Sequence, residues 1–295
     1  KEDSPGQGSR GGLFGPGQPD GGTGPGATVY GQKHALIIGV SDYRDLKPAG
    51  QETILGKFTD LKFAEQDAAD LAAFLRSDPR SGQGWKIQTL TGRDATENAI
   101  KSAIGSVLSD GGPNDLVYLF FAGHARRSPA DASEIFLLAW DSEYASDYSG
   151  IDYRWIQRKI ANSPTKNILA FMDACRSGTV GFARGSQTPD HDLLGEIQGL
   201  KGFKAIFTSG SGSQLAYEDA ALNNGVFTHF LLKGLKGEAR DLDHDPFVDL
   251  KELEEYVVDR VREYTRNNPD MGVQRPRIVE HQGLISMEFP VSLRK

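Results

Sequence analysis

Two apolar runs in this chain end abruptly in reactive side chains. LVYLFFA at 116–122 stops at Gly123-His124-Ala125, and ILAFM at 168–172 stops at Asp173-Ala174-Cys175. A half-exposed strand must alternate apolar with polar residues, and these runs do not. They read as strands buried on both faces, as in a parallel sheet covered by helices. Further strands are expected at HALIIGV (34–40), KIQTL (86–90), IFLLA (135–139) and FKAIFTSGS (203–211).

Helical patterns separate these runs. Residues 61–76 carry the stripe Ala64, Ala68, Leu71, Leu75, at spacings of four, three and four. Asp94 and Glu97 are spaced for a capping box ahead of a helix bearing Ile100, Ala103, Ile104, Val107 and Leu108, which Gly111-Gly112-Pro113 ends. Helices are also expected over 151–161, 225–237 and 250–265, the last with Leu250, Leu253, Val257 and Val261 on one face. The alternation predicts an α/β fold, a three-layer sandwich whose mostly parallel central sheet carries helices on both faces. In such sheets, sites form beyond the carboxyl ends of the strands. His124 and Cys175 stand 51 residues apart in sequence, and this rule brings them together on one sheet edge.

Composition narrows the partners. Residues 1–32 are rich in Gly, Pro, Ser and Asp and read as a flexible linker, leaving one domain at 33–295. The net charge of -7 argues against nucleic acid or an anionic membrane as partner. No apolar run is long enough to span a bilayer. Cys175 is the one cysteine, so no intrachain disulfide forms. A lone cysteine is either a small buried hydrophobe or a reactive thiol, and a histidine is either a structural hydrogen-bonding group or a base. The shared strand-end placement favours chemistry, in which a thiolate attacks and an imidazole moves the proton. A reactive unpaired thiol suits reducing surroundings, which makes a cytoplasmic location the expectation.

VYLFFAGHA followed by ILAFMDACRSG resembles the caspase-like cysteine peptidases. The resemblance runs over about 34–286 and takes in HALIIGVSDY, the Ala64-to-Asp67 segment, TSGSGSQLAYED and GVFTHFLLKGL. A base about 50 residues before the nucleophile is itself a caspase feature. The Ser177-Gly178 that closes the cysteine motif is most similar to metacaspases and bacterial caspase homologues.

The resemblance implies a caspase-like sandwich with a large-subunit-like part at about 33–178, a connecting loop at about 179–202 and a small-subunit-like part at 203–295. It implies a His124–Cys175 dyad, a thioester acyl-enzyme and an oxyanion hole made by the backbone N–H groups of Ala125 and Cys175. The family usually has Gly where this chain has Ala125, and alanine is the costlier residue if the site demands positive φ. It also implies that Asp67 and Asp173 hold Arg, then Lys, before the scissile bond. The helical pattern alone places Asp67 on the core-facing stripe, where a carboxylate needs compensation or a pocket. The alternatives are an Asp67 that serves the helix dipole and an Asp173 that accepts loop N–H groups. Ser209, Ser211 and Glu218 are expected along an extended substrate that adds as a strand, unless this Gly/Ser stretch is only a turn. Arg184 and Lys201 in the connecting loop are the expected points of zymogen autoprocessing; the alternative is an uncut surface loop.

The chemistry requires no cofactor. Metacaspases often need calcium, for which the resemblance implies Asp141 as part of a site. Separately, Asp241, Asp243, Asp245, Asp249 and Glu252 fill positions 1, 3, 5, 9 and 12 of a calcium-loop pattern. Pro246 stands where that loop needs Gly, and no incoming helix is expected, so the run reads as an acidic turn capping the next helix, with calcium the alternative. No metal ligand is therefore assigned. The expected activity is an endopeptidase acting on proteins or peptides after basic residues, with an upstream domain or an activating protease as further partners. A non-catalytic interaction module on the same fold is one competing reading, and a clan peptidase specific for Asn or Asp is another.

Overall fold

The computed structural model describes residues 30–44, 60–77, 84–128, 130–131, 134–143, 149–176, 203–210, 216–280 and 290–294. Its sheet is centred on the apolar runs. β1 (Lys33–Gly39), β3 (Leu116–Arg127) and β6 (Asn167–Arg176) are parallel neighbours. β2 (Lys86–Thr91) continues the sheet beyond β1, and β7 (Phe203–Thr208) continues it beyond β6, both parallel. β11 (Arg277–Glu280) adds an antiparallel edge to β7. β4 (Ile135–Leu137) pairs antiparallel with the end of β3, and β5 (Ile151–Asp152) pairs with β4.

Alternation along each strand sorts side chains into two cores. Leu116, Tyr118, Phe120 and Ala122 face a layer made by α1 (Ala64–Ser77), α4 (Val226–Lys233) and α5 (Leu250–Asn267). Val117, Leu119 and Phe121 face α2 (Glu97–Ser109) and α3 (Tyr153–Asn162). The strands are apolar throughout because both faces are covered. Phe171 is fully buried with its ring edge-on to Tyr118, so Phe171→Ala is expected to cost about 3–5 kcal/mol. The expected mostly parallel α/β sandwich is therefore the observed one.

Several local expectations change. β3 does not break at Gly123-His124; it continues to Arg127 because β4 pairs with Ala125, Arg126 and Arg127. The Asp94/Glu97 box does not form. Asp94 falls in a 3-10 turn, and the N-cap of α2 is Thr96, whose hydroxyl accepts from the Ala99 N–H at 3.2 Å. The helix expected over 225–237 ends at Lys233 and widens into a π-helical turn, Gly234–Glu238, where Gly237 takes φ 99°. Two small antiparallel pairs carried no sequence period: the hairpin of β8 (Glu218–Asp219) with β9 (Asn224–Gly225), and the long-range pair of β10 (Phe247–Asp249) with β12 (Pro290–Leu293). Among the described residues no helix is long and apolar enough to cross a membrane. Ser211, Arg184, Lys201 and nearly all of the expected linker lie outside the described residues.

Candidate active site

The register of the two central strands brings base and nucleophile positions together. Phe120 pairs with Phe171, Ala122 with Asp173, His124 with Cys175 and Ala125 with Arg176. Adjacent strands lie about 4.8 Å apart, so a 51-residue separation in sequence closes to one strand spacing. The pair sits at the carboxyl ends of β3 and β6, where a parallel sheet opens its sites. His124 is buried, and its main chain is fixed from two sides. Its N–H donates to the Tyr43 hydroxyl at 2.7 Å, and its carbonyl accepts from the Leu138 N–H at 2.9 Å. The Tyr43 ring lies 5.1 Å from the imidazole at 30°. Tyr43 was part of the HALIIGVSDY resemblance, but nothing local in the sequence marked it as a support for His124.

Hydrogen-bonding directions alternate along a strand, which fixes where the N–H groups of the expected oxyanion hole point. The His124 carbonyl faces β4, so the Ala125 N–H faces β6. The Met172 carbonyl accepts from the Ser209 N–H on the β7 side, so the Cys175 N–H faces β3. Both N–H groups thus lie along the β3–β6 seam, whose pairing runs through His124–Cys175 to Ala125–Arg176. Ala125 lies in regular strand and outside positive φ, so alanine carries no backbone strain there.

Two residues back along the strands from His124–Cys175, at Asp173, two carboxylates meet. Asp67 of α1 is 2% exposed and Asp173 of β6 is 7% exposed. Asp67 Oδ1 accepts from Asn224 Nδ2 and from the Gly225 N–H, both at 3.0 Å. Asn224 Nδ2 also donates to Asp70 at 2.9 Å. Asp173 Oδ2 accepts from the Thr228 hydroxyl at 2.7 Å, and the Ser209 hydroxyl and Thr228 N–H also serve this carboxylate. Every one of these donors is uncharged. Burial, and then the Asp173 charge, hold the Asp67 carboxyl well above the ordinary carboxylate range. Burial lifts Asp173 to about 6 against the pull of its hydroxyl donors. Asp67 is in the first turn of α1, yet its carboxylate is bonded to the β8–β9 hairpin rather than to its own helix start.

The remaining expected residues fall into supporting places. Ser209 is 1% exposed and donates to Asp173, so it supports that carboxylate instead of lining an open groove. Both oxygens of Glu218 are engaged at the start of α1, accepting from the Lys62 and Phe63 N–H groups at 2.8 Å each. Its charge raises both aspartates. Asp141 Oδ1 accepts the Glu97 N–H at 2.7 Å and so helps to begin α2.

In the acidic turn, Asp249 and Glu252 form a capping box on α5. Asp241, Asp243 and Glu252 lie close enough to share a cation. Arg294 supplies one, bonding Glu252 and standing 4.0 Å from Asp241. An incoming helix does precede this turn, contrary to expectation: α4 and its π-helical extension reach Glu238. The positive-φ position is His244, at 65°, so Pro246 is not asked to make it. Sequence reasoning missed Asn224, Gly225 and Thr228. The Asn223-Asn224-Gly225 run signals a turn, but a turn signal says nothing about which carboxylates lie beneath it.

A family model described as the caspase domain matches residues 32–283. Among solved structures, a structural-genomics protein from Geobacter sulfurreducens aligns with a TM-score of 0.61 at 19% identity, covering 89% of this chain and 98% of that one. Caspase-1 from Spodoptera frugiperda aligns with a TM-score of 0.56 at 14% identity, covering 93% of this chain and 98% of its own. At these identities the likeness is one of fold. No curated protein matches the sequence.

Proposed function

Since the chain belongs to the caspase-domain family of cysteine peptidases, we propose that it is an active endopeptidase cutting after Arg, and less readily after Lys. The observation that supports this is the pairing of His124 with Cys175 two residues along the strand from a buried acid pair whose bonding partners among the described residues are uncharged. A buried carboxylate pair without a cation is costly, and a guanidinium reaching it from a substrate would gain charge-assisted hydrogen bonds.

In this mechanism His124 takes the Cys175 proton, and the thiolate adds to the scissile carbonyl. In this reading the oxyanion is received by the N–H groups of Ala125 and Cys175, which leave the end of the β3–β6 ladder to do so. Donors of this kind typically contribute about 2.7–4 kcal/mol. The tetrahedral adduct expels the amine, which takes the proton from His124 and leaves a thioester. His124 then deprotonates water, which adds to the thioester carbonyl; the carboxylic acid departs and the thiol recovers its proton. Nucleophile, base and donors are all protein groups, so the reaction needs no cofactor. Cleavage at Arg184 or Lys201 would convert a zymogen to its mature form.

Turnover of matched fluorogenic peptides ending in Arg, Lys, Asn or Asp by wild type and Cys175→Ala, with and without calcium, tests the reading. Arg cleavage by wild type and none by the variant is expected. Absence of turnover under every condition, including after limited proteolysis of the connecting loop, sinks it in favour of an interaction module. Mass spectrometry of both proteins tests self-cleavage; fragments from Cys175→Ala would assign the cuts to another protease.

A further inference from the structure

We propose that Gly225 is a specificity-determining residue of the acid pocket: lacking a Cβ, it lets an oxygen of Asp67 and one of Asp173 close over its Cα, near enough together for one guanidinium to bridge them. This rests on the endopeptidase reading above and goes further by naming what sets the preference for Arg over Lys.

Glycine is normally required where the backbone takes positive φ. Gly225 does not: it sits at φ -60°, ψ 139° as the N-cap of α4, a conformation open to most residues. The requirement is one of space. A Cβ built on Gly225 would lie 2.8 Å from Asp173 Oδ2 and 2.9 Å from Asp67 Oδ2, closer than real Cβ contacts come. The absence of that atom is what lets the two oxygens stand this close to the Gly225 backbone and to each other.

The surroundings hold that geometry in place. The Gly225 N–H bonds both oxygens of Asp67, at 3.0 and 3.2 Å. Asn224 ties Asp67 to Asp70, and Thr228, one turn along α4, fixes Asp173. These three residues come from one continuous stretch, Asn224–Thr228, so the hairpin end and the helix start clamp one carboxylate each, with the Gly225 Cα against both. A planar guanidinium has a fork of donors able to bridge two carboxylates, whereas an ammonium is a compact point charge. A Cβ at Gly225 would push the two oxygens apart and so penalise Arg more than Lys.

The experiment compares the full-length wild type with Gly225→Ala on matched peptides ending in Arg and Lys. Labelling of Cys175 by iodoacetamide, a small neutral reagent, and the thermal midpoint report on the dyad and on folding. Gly225→Ala is expected to lower kcat/KM for Arg by about tenfold or more, chiefly through KM, on the scale of one lost charge-assisted bond. The Arg-to-Lys ratio should fall, while iodoacetamide labelling stays at the wild-type rate. An unchanged kcat/KM for Arg and an unchanged Arg-to-Lys ratio would overturn the role of Gly225 and leave the endopeptidase reading standing. A wild type that cleaves neither peptide would instead defeat the endopeptidase reading.

If Gly225→Ala does not fold, the wild type decides with a modified substrate. A peptide ending in asymmetric dimethylarginine keeps the charge but enlarges the head group. It should be cut at least about tenfold more slowly than the Arg peptide, again the scale of one lost charge-assisted bond. Equal rates would show that the head group does not reach the acid pair beside Gly225, and the proposal would fall.

Discussion

The molecule holds two acid clusters that differ in one respect. At the acidic turn, Asp241, Asp243 and Glu252 gather around Arg294, whose guanidinium also donates to the Ala239 carbonyl at 2.6 Å. At the pocket, Asp67 and Asp173 gather around hydroxyls, an amide and backbone N–H groups, with Glu218 adding a third negative charge. The first cluster carries its cation in its own sequence. The second has carboxylates held above the ordinary range by burial and by one another. Removing a charge should therefore have opposite consequences at the two places: damage to folding at the turn, and damage to substrate capture, with a gain in folding, at the pocket.

The largest effect is expected from Asp173→Asn. Truncating one partner of a buried, charge-assisted pair typically costs about 2–5 kcal/mol of binding, so kcat/KM on Arg peptides should fall by about a hundredfold or more. Stability should move the other way. The folded carboxyl is raised from 3.8 to about 6, so its stabilising contribution is complete below the unfolded value and is lost as pH rises through about 6. Near pH 8 the variant should be more stable than wild type by about 2–3 kcal/mol, measured by urea unfolding. A variant less stable than wild type at that pH would mean that the carboxylate is structural, and the contrast between the clusters would collapse.

Arg294→Met tests the other side. Glu252 has a side chain only 1% exposed, and the substitution strips it of its cation. Leaving one partner of a buried pair uncompensated costs about 3–5 kcal/mol, read in the same unfolding experiment. Turnover per folded molecule should not change, because the turn contributes nothing to the pocket. A loss of Arg cleavage at full folding would show that the two clusters communicate.

Tyr43→Phe removes a support of the dyad and leaves both acid clusters alone. The substitution deprives the buried His124 N–H of its acceptor, a loss of about 1–3 kcal/mol. If Tyr43 positions the imidazole, kcat should fall while KM for Arg holds, and the pH profile of kcat should shift. An equal fall in stability with unaltered kinetics would make Tyr43 structural only.

The parts of this site visible in the sequence are those set by strand periodicity. LVYLFFA and ILAFM announce strands buried on both faces, and the residue after each run falls at a carboxyl end; that alone brought His124 to Cys175. The α1 stripe likewise placed Asp67 on the inner face. What stayed hidden depends on short elements and on space. β8 and β9 have two residues each, too few to show a period, yet Asn224 and Gly225 within them shape the pocket. Ser209 looked like a groove residue because a Gly/Ser stretch does not reveal which hydroxyl turns inward. The acidic turn looked like an imperfect metal loop because Arg294, 42 residues beyond Glu252, could not be foreseen as its cation.

The smallest expected effect is also the sharpest on charge. If the pocket takes its cation from substrate, affinity for Arg must depend on the ionised acid pair, whereas affinity for a neutral isostere must not. Asp173 faces Thr228 of α4 and Ser209 after β7; Asp67 faces Asn224 and Gly225 of β9; Glu218 of β8 is the further charged group facing both, with Asp70 of α1 behind Asn224. Among the described residues no cation faces the pair, so protonation is its way of shedding charge when no substrate is bound. As pH falls through about 6 Asp173 takes up a proton and the pair loses that charge. Peptide aldehydes ending in Arg and in citrulline, compared as inhibitors, isolate that term because both engage Cys175 alike. The ratio of their inhibition constants should shift against Arg by about tenfold for each pH unit below the transition, since a one-unit change in proton occupancy corresponds to about 1.4 kcal/mol. A ratio that stays flat from neutral pH down to about pH 5 would mean that the acid pair does not read the substrate's charge. The turn with its built-in arginine and the pocket without one would then differ only in composition, not in function.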